Sequence, residues 1–215
     1  TLSRYAYGHK KLIAAFASAA IEIFPYQVAA ALFALRSPYM KGVILCDDGS
    51  LGKTYEALLV ITQKWYAGKQ KILLVIPTPL LKQWQRVIEN SFAVPYFVID
   101  SNEAIQARLA ENSGNPFIQP GLVLTTYDFA AEQSEYIGQI NWDAVVFEEA
   151  HHLRRIYTGE NQKHEAIKTA VINAFKILLT ATPIQTSIMD LYGLISFIDE
   201  RLFPDPDEFY GRYFR

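Results

Sequence analysis

The sequence predicts an α/β fold: a mainly parallel β-sheet with helices on both faces, preceded by N-terminal helices. Three observations carry that prediction. From about residue 40 onward, short apolar runs rich in β-branched residues alternate with stretches of helical periodicity. The runs are continuously apolar and do not alternate with polar residues, the pattern of strands buried on both faces. One of them, Val43-Ile44-Leu45-Cys46, leads directly into Asp47-Asp48-Gly49-Ser50-Leu51-Gly52-Lys53-Thr54, a Gly-containing turn that opens a helix.

Composition sets the outer bounds. At 215 residues, 51% hydrophobic and 20% charged, the chain is a globular domain of ordinary size with enough length to bury a core. A formal charge of −2 predicts no large basic field, so any nucleic acid would be held by a local patch. The single cysteine, Cys46, excludes an internal disulfide framework and a Cys-based zinc site; its apolar run predicts inert core packing.

Residues 12–35 are apolar enough to imitate a signal peptide or a membrane span, but Glu22, Pro25 and Gln27 interrupt them. Two helices split at Pro25 fit better. The chain is therefore expected to be soluble, neither secreted nor membrane-bound, and to reside in the cytoplasm and nucleoid or in the nucleus. It starts at Thr1 and stops at Arg215 in an aromatic, helix-like segment, which reads as a fragment of something larger. The expected organisation is N-terminal helices over residues 1–40 and one α/β unit over 41–215.

The strands are expected at Val43–Cys46, Lys71–Ile76, Tyr96–Ile99, Leu122–Thr125, Ala144–Phe147 and Phe175–Leu179. Between them the periodicity predicts helices over Lys53–Ala67, Leu80–Asn90, Asn102–Glu111, Phe129–Ile137 and Glu165–Asn173. Polar loops are expected over Asn112–Gly121 and Tyr157–Lys163. Sheets of this kind bind ligands at the carboxyl ends of their strands, where the Gly-Lys-Thr turn falls.

That turn has the build of a nucleotide phosphate-binding loop. Backbone N–H groups of Gly49, Ser50, Leu51 and Gly52 at a helix start favour an anion, and Lys53 adds a point charge beside the β/γ-phosphates. The Thr54 hydroxyl has the hardness Mg²⁺ prefers. About 95 residues past Lys53 comes Val145-Val146-Phe147-Glu148-Glu149-Ala150-His151-His152, a buried strand ending in two carboxylates. By position Glu148 supports the metal and Glu149 orients or deprotonates the attacking water. Adjacent histidines point apart and no third ligand follows at sensible spacing, so His151 and His152 read as a polar link and not as a zinc site.

Glu148-Glu149-Ala150-His151 resembles the DEAH-type box of superfamily-two helicases and translocases. Four further stretches resemble the Swi/Snf-like branch of that family: Pro25-Tyr26-Gln27, Pro77-Thr78-Pro79-Leu80-Leu81-Lys82-Gln83-Trp84, Thr125-Thr126-Tyr127, and Thr180-Ala181-Thr182-Pro183-Ile184-Gln185. Asp190-Leu191-Tyr192-Gly193-Leu194-Ile195-Ser196-Phe197-Ile198 continues in the same style, and Phe203-Pro204 with Phe209, Tyr213 and Phe214 resembles the end of the branch's first lobe. The ordered set spans nearly all of residues 25–214.

The resemblance implies a RecA-like P-loop lobe of a DNA-dependent ATPase that moves on duplex DNA, with ATP and Mg²⁺ as cofactors. It implies Gln27 on the adenine side, and His151, Thr180, Thr182 and Gln185 coupling the γ-phosphate to lobe movement. Thr78, Lys82, Thr125, Thr126 and Arg154 would touch DNA phosphates, contacts that position the protein without reading sequence. A second RecA-like lobe would supply the arginine fingers, so the isolated lobe is expected to hydrolyse ATP poorly. The alternatives are a strand-separating DNA or RNA helicase and a weakly hydrolysing ATP-binding regulatory module.

Two residues depart from the family pattern. Ser50 stands at a usual glycine position, where any positive φ would cost on the order of 1 kcal/mol, and Gly49 is placed to absorb the turn instead. Glu148 replaces the usual Asp. Its extra methylene shifts the carboxylate against a metal that tolerates poor geometry badly. Retained nucleotide binding with slowed hydrolysis is the expectation.

Overall fold

A computed structural model describes residues 23–36, 41–47, 52–111, 114–158 and 161–213. Gly49, Ser50 and Leu51 lie outside the described residues, as does the first of the two expected N-terminal helices. The second is helix α1, Pro25–Arg36. After it the chain runs strand β1 (Gly42–Leu45), helix α2 (Lys53–Tyr66), β2 (Ile72–Ile76), a 3₁₀ turn over Thr78–Leu80, α3 (Leu81–Ser91), β3 (Tyr96–Val98) and α4 (Asn102–Glu111). It continues through β4 (Leu122–Thr126), α5 (Tyr127–Glu132), α6 (Ser134–Gly138), β5 (Ala144–Phe147), 3₁₀ turns over Ala150–Leu153 and Ile156–Thr158, and α7 (Gln162–Ala170). The last elements are β6 (Lys176–Leu179), α8 (Ile188–Ile198), a 3₁₀ turn over Glu200–Leu202 and α9 (Pro206–Tyr213).

The six strands form one sheet in the order β1-β6-β5-β2-β4-β3, every pairing parallel. The expected fold class is therefore the observed one. Strand β2 shows why its sequence had to be apolar throughout. Ile72, Leu74 and Ile76 face a core with α1, α2 and α3, whereas Leu73 and Val75 face a second core with residues of α4 to α8. Burial on both faces removes the polar alternation that a half-exposed strand would show. On the first face Leu81, Trp84 and Ile88 of α3 are all buried, Trp84 being 1% exposed.

Three local expectations are corrected. Cys46 is exposed, not packed in the core, because β1 ends at Leu45 and Cys46 is the first residue beyond the ladder. The single helix expected over Phe129–Ile137 is two: the Thr126 hydroxyl accepts from Phe129 N and starts α5 early, and Gln133 at φ −101°, ψ 20° separates it from α6. The expected loop Tyr157–Lys163 instead contains part of a 3₁₀ turn and the start of α7, which Asn161 caps by accepting from His164 N. Asn and Thr at these points satisfy helix N–H groups that have no partner inside the helix.

One buried cation was not anticipated. Lys176, 1% exposed at the start of β6, donates through Nζ to the carbonyls of Ile172 (3.2 Å), Ala174 (3.5 Å) and Ile198 (3.3 Å). It thereby ties the carboxyl end of α8 to the turn before β6. Burial pushes its ammonium down to about 8.

Candidate active site

Because every strand is parallel, their carboxyl ends share one edge of the sheet, and there the chain concentrates its polar residues. Lys53 follows β1, Thr78 follows β2, Tyr127 follows β4, Glu148 and Glu149 follow β5, and Thr180 follows β6. Sequence distances of up to 127 residues between Lys53 and Thr180 collapse onto this edge.

Gly52 sits ahead of α2 in the left-handed region, φ 80° and ψ 46°, where a side chain would be strained. The position is also close-packed, since a Cβ would lie 2.9 Å from Gln27 Nε2 and 3.0 Å from a Tyr55 ring carbon. Gln27 is thus brought against Gly52, and its Oε1 accepts from Phe24 N at 3.1 Å. Lys53 is 7% exposed and donates to the main-chain carbonyl of Asp47, the residue two beyond β1, at 2.7 Å. Thr54 occupies the next helical position and is half-buried.

Glu148 is 8% exposed, and its Oε2 is buried without a hydrogen-bond partner. Burial, and then the Glu149 carboxylate, push its carboxyl up to about 7, with Lys53 opposing. A buried carboxylate oxygen without a hydrogen-bond partner fits the hard Mg²⁺ that the family resemblance implies at this position. Glu149 adopts φ 52°, ψ 47°, the one positive φ outside glycine among the described residues. Holding a non-glycine residue there costs on the order of 1 kcal/mol. The turn swings the Glu149 side chain out to the sheet edge, where Oε2 lies 3.0 Å from His151 Nδ1.

The Thr180–Gln185 stretch is held by one buried carboxylate. Thr180 is fully buried at the end of β6, its N–H bonded to Leu45 O of β1 at 3.1 Å, and its hydroxyl accepts from Thr182 N at 3.1 Å. Asp190 Oδ2 accepts from Gln185 N (2.9 Å) and Thr186 N (2.7 Å), while Ser187 and Asp190 form a capping box at the start of α8. Burial opposes ionisation of Asp190, yet the N–H groups of Thr186, Gln185 and Ser187 hold its carboxyl below the ordinary value.

The structure divides the residues expected to touch DNA. Thr78 and Lys82 are exposed just past β2. Thr125 and Thr126 are not: Thr125 is fully buried, Thr126 is 7% exposed, and the Thr126 hydroxyl caps α5. Arg154 turns inward, Nε 3.9 Å from Asp190 Oδ1, so it links the acidic box to the Thr180–Gln185 stretch, and Arg155 is the exposed member of the pair.

Three residues of this region were given no role by the sequence reading, although Tyr127 and Asp190 lie in stretches it quoted. Tyr127 donates its hydroxyl to the main-chain carbonyl of Glu148 at 2.9 Å. Glu56, fully buried one turn after Lys53, is pushed up to about 8 by burial and then by Asp47. Asp190 was legible as the third residue after Ser187, the spacing of a capping box. A carboxylate on the apolar face of α2 was the available signal for Glu56, whereas Tyr127 was marked only as the last residue of the Thr125-Thr126-Tyr127 stretch, with nothing to say that it would reach Glu148.

A parallel α/β sheet with a Gly-Lys-Thr helix start and a paired-carboxylate strand end defines a P-loop nucleotide-binding domain. The chain belongs to the SNF2-related domain family, whose model matches residues 26–214. It is 31% identical over 172 residues to the RNA polymerase-associated protein RapA of Sodalis glossinidius, covering 78% of this chain and 18% of that protein. RapA of Yersinia pseudotuberculosis is 30% identical over the same length and coverage. The chain thus spans under a fifth of the length of these relatives. The Sulfolobus solfataricus SWI2/SNF2 ATPase core, solved in complex with dsDNA, superposes with a TM-score of 0.74 at 21% identity, covering 91% of this chain and 40% of that one.

Proposed function

We propose that the chain is the ATP-binding first lobe of a DNA-dependent ATPase that translocates on duplex DNA. The observation that carries this reading is the convergence of Lys53, Glu148, Glu149 and Thr180 on one sheet edge, with Glu148 Oε2 left unpaired. Lys53 holds the β/γ-phosphates, Thr54 and Glu148 hold the metal, and Glu149 orients the water. Bound there, Mg²⁺ supplies neutralisation of phosphate charge. Gln27, against Gly52, meets the adenine side. Thr180, Thr182, Gln185 and His151 pass the nucleotide state outward through Asp190 and Arg154, and Thr78 and Lys82 hold one DNA strand.

The lobe comprises residues 41–215, with residues 1–40 contributing the adenine-side helices, and a second RecA-like lobe supplies the arginine fingers. The relatives' name makes RNA polymerase the first protein partner to test. In the full-length protein, duplex DNA is expected to stimulate ATP hydrolysis and ATP to drive displacement of a triplex-forming strand, without separation of the duplex. Lys53→Ala or Glu149→Gln should abolish both. Strand separation would favour the helicase, and turnover indifferent to both substitutions would favour the regulatory module.

A further inference from the structure

Helix α9 is tied to the rest of the fold through one side chain. Of its eight residues, Pro206–Tyr213, Phe209 alone is buried, whereas Tyr210 and Tyr213 are exposed. A helix this short does not hold itself in water, so whether it forms depends on where Phe209 sits. Pro204 and Pro206 precede it and carry no N–H to donate, so the link back to α8 has few hydrogen bonds to break. Helix α9 is therefore built to dock and leave as a unit.

The seat of Phe209 is aromatic, and it leads back to the acidic box. The Phe209 ring stands 5.2 Å from Tyr192 of α8 and 4.9 Å from Phe203, centroid to centroid. Tyr192 donates its hydroxyl to the Phe203 carbonyl at 3.3 Å, which fixes both rings of the seat. On its other side the buried Tyr192 ring stands edge-on to Tyr157, with centroids 5.3 Å apart. Tyr157 belongs to the 3₁₀ turn Ile156–Thr158 that follows the box. The next residue of α8, Gly193, lies directly on the Arg154 carbonyl, so the seat and the box share a close-packed joint.

Resting on the proposed ATP site, we propose that α9 is a latch: Phe209 seats on Tyr192 when Tyr157 braces that ring from the box side, and comes off when it does not. Docked and undocked α9 are the two discrete states that coupling between distant segments requires. A nucleotide that orders the turn carrying Glu149 also orders Tyr157 behind it, and so favours the docked state. Each aromatic pair adds little beyond its buried area, so the seat is reversible. Helix α9 follows every strand of the sheet, and its docking is where the nucleotide state would pass towards the proposed second lobe.

Amide hydrogen exchange over α9 tests the latch in the full-length protein, with and without Mg²⁺ and a non-hydrolysable ATP analogue. In the wild type these amides are expected to exchange faster than those of α8 and to slow about tenfold when the analogue is bound. Phe209→Ala should remove their protection in both states, with α2 and β5 unchanged as the fold control. Tyr157→Ala should speed exchange in α9 without nucleotide, leave the affinity for the analogue unchanged and abolish the slowing. Exchange in α9 as slow as in α8, no response to saturating analogue, or a response that persists in Tyr157→Ala would each overturn the latch. If the wild type binds no analogue, the ATP-site reading fails by itself. Exchange without nucleotide then decides the latch: faster in Tyr157→Ala than in the wild type keeps it, and equal rates remove it.

Discussion

Tyr127 donates its hydroxyl hydrogen to the main-chain carbonyl of Glu148 across 2.9 Å, joining the end of β4 to the end of β5. The Glu148 N–H is already bonded to Val75 O at 3.0 Å, so both sides of this residue's backbone are held just before the chain enters the left-handed turn at Glu149. The ring is wedged against Phe147, His152 and His164, with centroids 6.2, 5.9 and 6.5 Å away. Burial, reinforced by Glu148 and Glu149, raises the phenol well above its ordinary value, so it remains a donor throughout the neutral range. Tyr127→Phe keeps the packing and removes the bond. The expected loss is about 1 kcal/mol of unfolding free energy, with kcat falling and KM for ATP nearly unchanged, measured by urea denaturation and steady-state ATPase kinetics.

Glycine at position 193 is dictated by a neighbour far away in sequence. A Cβ there would lie 1.6 Å from the carbonyl oxygen of Arg154, so α8 packs directly on the backbone that follows the acidic box. Gly193→Ala should push the two apart, costing about 1–3 kcal/mol of stability. ATPase activity should fall further than the loss of folded protein explains. Thermal unfolding and activity per folded molecule separate the two effects.

The Glu148 side chain is one methylene longer than the aspartate its family resemblance leads one to expect. Glu148→Asp should raise turnover by up to about tenfold, or about 1.4 kcal/mol of barrier, with nucleotide affinity unchanged. Turnover that stays level or drops would refute the idea that the longer side chain slows the chemistry.

Acid should loosen the carboxyl end of α8. The Arg201 guanidinium, donating to Asp199 through Nε and Nη2 at 2.9 Å each, holds the Asp199 carboxyl down at about 2, against an ordinary 3.8. A depressed folded value means the stabilisation is complete above the ordinary value and is lost as pH falls from about 4 towards 2. The acid limb of a stability profile should therefore be shallower in Asp199→Asn than in the wild type, and identical limbs would show that the pair contributes nothing.

Much of this protein is written in local pattern. Strand β5 and helix α4 occupy the residues that periodicity assigns them, because a four-residue apolar run and a capped ten-residue helix are decided by near neighbours. The placement of Lys53, Glu148 and Thr180 together was legible for a different reason: each is in a short motif just past a strand end, and a parallel sheet brings all strand ends to one edge.

The remaining features depend on segments that meet only after folding. Thr125 and Thr126 look like phosphate donors in sequence, but their hydroxyls are buried beneath α5. Cys46 looks like core, but the ladder stops one residue short of it. Arg154 and Arg155 are indistinguishable as a pair until Asp190, 36 positions past Arg154, draws the first inward and leaves the second at the surface. The sequence by itself determined the sheet, its apolar strands and the ordered motifs along its edge, because those follow from short-range periodicity and turn chemistry. The tertiary structure alone decided which hydroxyls and cations face solvent and that Tyr127 braces Glu148, because burial and hydrogen bonding are set by contacts between residues that no local period relates.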